Sequence, residues 1–183
     1  MSFDMSTNKT IDEKKLITKR LTKKEYELYG ITRNILKTEK NILKINFDMS
    51  NFDTLEQVIE TINPEIIIHL ASTSSSIEAY NNPFSTLINN GMLVAKLCDI
   101  ILNFNRNIKL FNASSSEIYK GHNIYKVDEQ LNIDNTNHLH PYSIAKIMGQ
   151  NIVKFYRENY NLNFSNGIIF TTQSIKKKKF IFF

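Results

Sequence analysis

From residue 27 onward the chain alternates short apolar runs, rich in β-branched and aromatic residues, with longer stretches of helical period. This alternation restricts the fold more than any other feature, because it is the pattern of a parallel sheet covered by helices. Glu27–Thr32 (ELYGIT) and Leu43–Phe47 (LKINF) read as strands, and Glu65–Leu70 (EIIIHL) reads as a continuous β-branched run buried on both faces. Lys109–Ala113 (KLFNA) and Asn166–Phe170 (NGIIF) supply two more strands. Between them, Asp53–Thr61 reads as a helix opened by Asp and Asn and closed by Asn63-Pro64, Pro83–Phe104 as a long helix, and Pro141–Tyr160 as a third. The segment 120–140, rich in Asn, Asp and His, reads as a loop. The expected fold is therefore α/β, a doubly wound parallel sheet, with ligands at the carboxyl ends of its strands.

The N-terminus departs from that plan. A nucleotide-binding sheet of this kind opens with a strand, a glycine-rich turn and a crossover helix. Lys15–Thr18 (KLIT) is a candidate for the strand, but only residues 19–26 separate it from the next one, and a parallel crossover needs about 10 to 12 residues or more. The segment reads better as one helix, running from a Thr10-Ile11-Asp12-Glu13 capping box to Lys24 with Ile11, Leu16, Ile17 and Leu21 on one side. The expected organisation is an atypical segment 1–26, a partial domain 27–174 and a basic, apolar tail 175–183.

Composition narrows the class. With 183 residues, 42% hydrophobic and 22% charged, the chain can bury the core of one soluble domain, which excludes a disordered tail, a collagen or a coiled-coil rod. No window reaches the roughly 18 to 20 unbroken apolar residues of a spanning helix, and the opening MSFDMSTNKTIDEKK is too polar for a signal peptide. The expectation is a cytoplasmic protein without a membrane partner. The net charge of +5 invites a nucleic-acid reading, yet residues 1–44 hold 11 basic against 6 acidic residues, Lys176–Lys179 add four more, and 45–175 hold 8 basic against 12 acidic. Basic ends on an acidic body do not make a groove for a phosphate backbone, so no nucleic-acid partner is expected. Cys98, the single cysteine, has no partner for a disulfide or a metal site and reads as a small core residue.

The strongest chemical signal is Tyr142-Ser143-Ile144-Ala145-Lys146. Tyrosine and lysine four apart share a helix face, and a nearby ammonium favours the phenolate. The pair alone is a common surface arrangement. Its context is not: it opens a helix after His140-Pro141, and about 25 residues upstream a strand ends in Asn112-Ala113-Ser114-Ser115-Ser116-Glu117-Ile118-Tyr119, a cluster of hydroxyls and a carboxylate at the edge where open α/β sheets bind ligands.

At these residues the sequence resembles the extended short-chain dehydrogenase/reductase family, a group of Rossmann-like enzymes, and within it the GDP-mannose 4,6-dehydratases. Ala113 to Lys120 matches the family's Ala-Ser-Thr-Ser-Glu-Leu-Tyr-Gly, Asn166 to Phe170 matches Asn-Gly-Ile-Leu-Phe, and Lys23 to Arg33 is similar to Glu-Lys-Gly-Tyr-Glu-Val-His-Gly-Ile-Val-Arg. The resemblance implies that Tyr142, held as phenolate by Lys146, takes the proton of the sugar's C4 hydroxyl while hydride passes to a nicotinamide. It implies that Ser115 hydrogen-bonds that hydroxyl and that Glu117 takes the C5 proton, after which water leaves from C6 and the hydride returns there. Asn166 and Ser74 would contact the substrate, a nucleotide sugar (GDP-mannose). For the cofactor it implies Arg33 on a 2′-phosphate, and hence NADP, Asp48 near the adenine, and His69, Leu70 and Ala71 along the ribose and nicotinamide, with Tyr142 and Lys146 completing the set. Taken singly, Arg33 reads as well as an exposed arginine, Asp48 as a turn residue and His69 as a satisfied strand-end histidine. Asn89 or Asn90 falls where the family has a residue supporting the active site. Helices 83–104 and 141–160 correspond to those through which the family forms homodimers.

Three departures weigh against full activity. No glycine precedes Gly30, so the loop whose backbone N–H groups approach the pyrophosphate is absent. Thr171-Thr172-Gln173-Ser174 stands where the family has Asn-His-Glu-Ser. The C-terminal substrate domain has no counterpart before Phe183. The expected function is a GDP-mannose 4,6-dehydratase-like protein of impaired activity, on a sheet incomplete at its N-terminus; a non-catalytic remnant, or another nucleotide-sugar epimerase or dehydratase, is the alternative.

Overall fold

The β-rich runs form strands that, among the described residues, all pair in parallel. In the computed structural model, which describes residues 27–32, 43–46, 52–70, 72, 76–119 and 140–170, β1 (Tyr29–Thr32) pairs with β2 (Leu43–Asn46). A three-stranded sheet follows in the order β3 (Ile66–His69), β4 (Lys109–Ser115), β5 (Phe164–Ile169). The helices are α1 (Phe52–Ile62), α2 (Ser76–Asn81), α3 (Pro83–Phe104, with a π turn at Ile88–Met92) and α4 (Pro141–Tyr160). The expected α/β class with a parallel sheet is what forms. The helix expected over residues 10–24 and the loop over 120–139 lie outside the described residues.

Local chemistry sets the helix ends. Pro83 and Pro141 stand in the first turns of α3 and α4, where a missing N–H costs nothing. His140 caps α4, its Nδ1 accepting from the Tyr142 N–H at 3.2 Å. Asn63 (φ 45°) and Asn161 (φ 51°) take the left-handed conformation that ends α1 and α4.

One face of the sheet carries the core. Ile67, Leu110 and Phe164 meet Leu55 and Ile59 of α1, Val153 of α4, and Leu93, Val94, Leu97, Cys98, Ile100 and Ile101 of α3. By length and composition α3 is apolar enough to cross a membrane; in the fold this apolar stripe closes on the sheet. Cys98 is fully buried, and burial pushes its thiol up to about 12, as suits a core residue. α3 and α4 approach closely where Gly149 faces the Asn90 carbonyl and Gly91 faces Met148.

The opposite face corrects the reading of Glu65–Leu70 as buried on both sides. Alternation sends Ile67 and His69 toward the helices, whereas Ile66 and Ile68 remain 48% and 37% exposed, because the residues that meet α1, α3 and α4 all lie on one side. On the exposed side the Phe111 ring lies over Gly167, two positions along from its register partner Ser165. A Cβ on Gly167 would fall on that ring, within 2.7 Å of Cε2. Gly167→Ala is therefore expected to cost about 1–3 kcal/mol, seen as a lower urea midpoint at unchanged m-value. Phe111→Leu in the same chain should restore part of it, and an unchanged midpoint for Gly167→Ala would mean that the ring does not cover the glycine.

Candidate active site

Four elements converge at the carboxyl end of β4. Parallel pairing places Ala113, Ser114 and Ser115 at this end of β4, beside Gly167, Ile168 and Ile169 of β5. The chain then tightens into a 3-10 turn, Ser116–Tyr119, that carries Glu117. The first turns of α4 supply Tyr142, Ser143 and Lys146.

Lys146 is the most constrained group. Its side chain is buried, its Nζ donates to the Ala113 carbonyl at 2.8 Å and lies 5.8 Å from the centre of the Tyr142 ring. Burial lowers its ammonium from 10.5 to about 8, because removing a cation from water disfavours the charged form. An ammonium has three donors; Ala113 takes one and leaves two for hydroxyls arriving at the sheet edge.

Two further hydrogen bonds join the strand end to the helix. Ser143 Oγ donates to the Glu117 carbonyl at 3.0 Å, and the Glu117 N–H donates to Ser115 Oγ at 3.3 Å. The turn that carries the carboxylate is thus tied both to the strand hydroxyl and to the residue beside Tyr142. A cluster of Ile118, Tyr119 and Ile147, with Ile168 against it, packs beneath the turn. The arrangement offers a phenol over a buried cation, a hydroxyl and a carboxylate, all on one edge: the equipment for moving protons between oxygen and carbon.

The residues singled out from the sequence divide into two groups. Ser115, Glu117, Tyr142 and Lys146 gather at this edge. His69 and Asn166 lie in the same row of the sheet, with Asn112 between them; both face the helices. The Asn166 amide donates to the Gln150 carbonyl at 3.1 Å and accepts from Asn112 at 2.9 Å. Leu70 follows β3 and is half-buried. Of the pair Asn89 and Asn90 in the π turn, Asn89 bonds Ser85 on its own helix at 3.2 Å, while Asn90 is the buried one. Arg33, Asp48, Ala71 and Ser74 lie outside the described residues.

Sequence reasoning missed Ser143, Asn112 and Gln150. Alternation along KLFNASS puts Leu110, Asn112 and Ser114 on one face, so an asparagine following a core leucine by two was the available signal.

Comparison with known proteins bears on this geometry. A model of the family described as GDP-mannose 4,6 dehydratase matches residues 12–182. The GDP-mannose 4,6 dehydratase of Drosophila melanogaster is 28% identical over 177 residues, covering 86% of this chain and 44% of that protein. Among solved structures, the UDP-Glc/GlcNAc 4-epimerase of Campylobacter jejuni superposes with a TM-score of 0.72 at 17% identity, over 81% of this chain and 47% of the other. The UDP-glucuronic acid 4-epimerase of Bacillus cereus, in complex with UDP-glucuronic acid and NAD, does so with a TM-score of 0.69 at 20% identity, over 82% and 51%. The chain spans between about a third and a half of the length of the relatives it matches.

Proposed function

Because the chain belongs to the GDP-mannose 4,6-dehydratase family, we propose that it acts on a nucleotide sugar with the help of a nicotinamide dinucleotide, and that GDP-mannose and NADP are the pair it takes. The observation that carries this reading is the buried Lys146, fixed by the Ala113 carbonyl under the Tyr142 ring and next to the strand end and turn that hold Ser115 and Glu117.

The donor chemistry of the site fits the nicotinamide end of such a cofactor. Lys146 would hold ribose hydroxyls with its two remaining donors, and His69 and Leu70 would line the neighbouring strand end. When bound, the cofactor supplies an acceptor and donor of hydride. The chain's own residues do the rest: Tyr142 takes and returns the proton of a sugar hydroxyl, Ser115 orients that hydroxyl, and Glu117 removes a proton from the carbon beside the resulting carbonyl.

Arg33 carries the preference for a 2′-phosphate in this reading. The glycine-free stretch before Gly30 favours a second one, a non-catalytic member of the family, and one experiment decides between them. Titration of the purified protein with NADPH and NADH, followed by nicotinamide fluorescence, is expected to saturate at about micromolar NADPH, near −8 kcal/mol. NADH should bind more weakly, and Arg33→Ala should narrow the gap. No saturable binding up to about 1 mM, near −4 kcal/mol, would overturn the enzymatic reading.

A further inference from the structure

One ordered polar feature lies on the helix-covered face of the sheet, away from the edge of β4. His69, Asn112 and Asn166 stand in a single register row across β3, β4 and β5, next to a row built from the apolar Ile67, Leu110 and Phe164. Their side chains connect head to tail. His69 Nδ1 donates to Asn112 Oδ1 at 3.0 Å, Asn112 Nδ2 donates to Asn166 Oδ1 at 2.9 Å, and Asn166 Nδ2 donates to the backbone carbonyl of Gln150, in the middle of α4, at 3.1 Å. Since Asn112 offers its nitrogen to Asn166, its oxygen accepts, and His69 carries a proton on Nδ1. The Gln150 side chain meets the sheet as well, its Oε1 accepting from Ser114 Oγ at 3.4 Å.

Three apolar side chains would fill such a row with less desolvation cost, so the row calls for a reason beyond packing. α4 supplies one. It touches the sheet through a polar stripe, Ser143, Lys146 and Gln150, spaced three and four apart on one side of the helix. Ser143 and Lys146 hold only the first turns of α4 to the β4 end and the turn, and leave the placement of the helix farther along to other contacts. Gln150 is tied through Asn166 to β5, and from there to β4 and β3. Apolar contact is non-directional and lets a helix slide along a sheet; a chain of hydrogen bonds near 3 Å does not.

We propose that Asn112 and Asn166 are positioning residues: through the Gln150 carbonyl their line of side chains fixes where α4 sits along the sheet, and so where Tyr142 and Lys146 stand relative to Ser115 and Glu117. The consequence for chemistry rests on the proposed function, while the geometry does not. A shift of about 1 Å at reacting groups lowers rate by about 100-fold.

The test is the double variant Asn112→Leu/Asn166→Leu in the full chain. The two asparagines leave together and similar volume is retained, while His69 Nδ1 loses its acceptor and the Gln150 carbonyl one donor, so the fold should survive with a lower melting temperature, as checked by far-UV circular dichroism and a cooperative melt. The readout is the pH dependence of Lys146 acylation by a competitive amine label, resolved by mass spectrometry. With α4 released, the midpoint is expected to rise from about 8 toward 10.5, by one unit or more. A row that only supports packing would lower the melting temperature and leave the Lys146 midpoint in place, and that result overturns the proposal. Should the double variant not fold, Asn166→Ser, which cuts the line next to α4, is read in the same way. The labelling needs neither cofactor nor sugar, so failure of the NADPH titration would remove the proposed function and leave this test intact.

Discussion

Under the proposed function, Tyr142→Phe is expected to lower kcat for conversion of GDP-mannose by about 10²–10⁴-fold, the usual contribution of a positioned acid–base group. The substitution keeps the ring near which Lys146 lies, at 5.8 Å from its centre, and removes only the phenol oxygen, to which the proposed function gives the proton exchange with the sugar. Cofactor affinity and the melting temperature should therefore change far less than kcat, which separates a chemical role from a structural one. Glu117→Gln makes a complementary case. Its backbone N–H still donates to Ser115 and its carbonyl still accepts from Ser143, so the turn keeps its shape, but the side chain can no longer take a proton from carbon. Loss of water from the sugar, followed by mass spectrometry, should fall by a similar factor. A Tyr142→Phe protein with unchanged kcat would sink the assignment of Tyr142 as the acid–base group, whatever the substrate.

The gathering of Ser115, Glu117, Tyr142 and Lys146 at one sheet edge was legible in the sequence because its parts are local. Tyr142 and Lys146 share one helix face, and Ala113 to Tyr119 announces a strand end turning into a helical loop; each pattern needs only a few neighbouring residues. The long elements were legible for the same reason, with Pro141–Tyr160 bounded by proline at one end and an asparagine beyond the other. α2 escaped notice because six residues, Ser76–Asn81, are too few to show a period. The exposure of Ile66 and Ile68 could not be read either. A β-branched run states that a strand is apolar, and only the placement of helices decides which of its faces is covered. The His69–Asn112–Asn166 row depends on the register of three strands that lie 43 and 54 residues apart in sequence, and no local pattern encodes that. In KLFNA the asparagine reads as a strand's end; the fold makes it the middle of a hydrogen-bonded line.

Lys146→Met should uncouple stability from pH. In the folded chain the lysine titrates at about 8, against an ordinary 10.5. Below pH 8 the group is protonated in both states, and holding the cation in its buried place costs roughly 3 kcal/mol relative to an unshifted lysine. Between pH 8 and 10.5 the folded lysine gives up its proton while the unfolded chain keeps one, so the cost fades and wild-type stability rises with pH. Above 10.5 it is gone. Methionine has no such dependence, and its flexible, similar-sized side chain can occupy the same space. The variant loses the bond to the Ala113 carbonyl, a constant penalty of about 1–3 kcal/mol at every pH. The decisive quantity is thus not the sign of the difference at one pH but its movement: the stability of wild type minus that of Lys146→Met, from urea unfolding, should increase by roughly 3 kcal/mol between pH 7 and 10.5. Other titrating groups are shared by both chains and cancel. A difference that stays flat across that range would mean that Lys146 is hydrated in the folded protein, and the buried cation beside Tyr142 would lose its place in the chemistry.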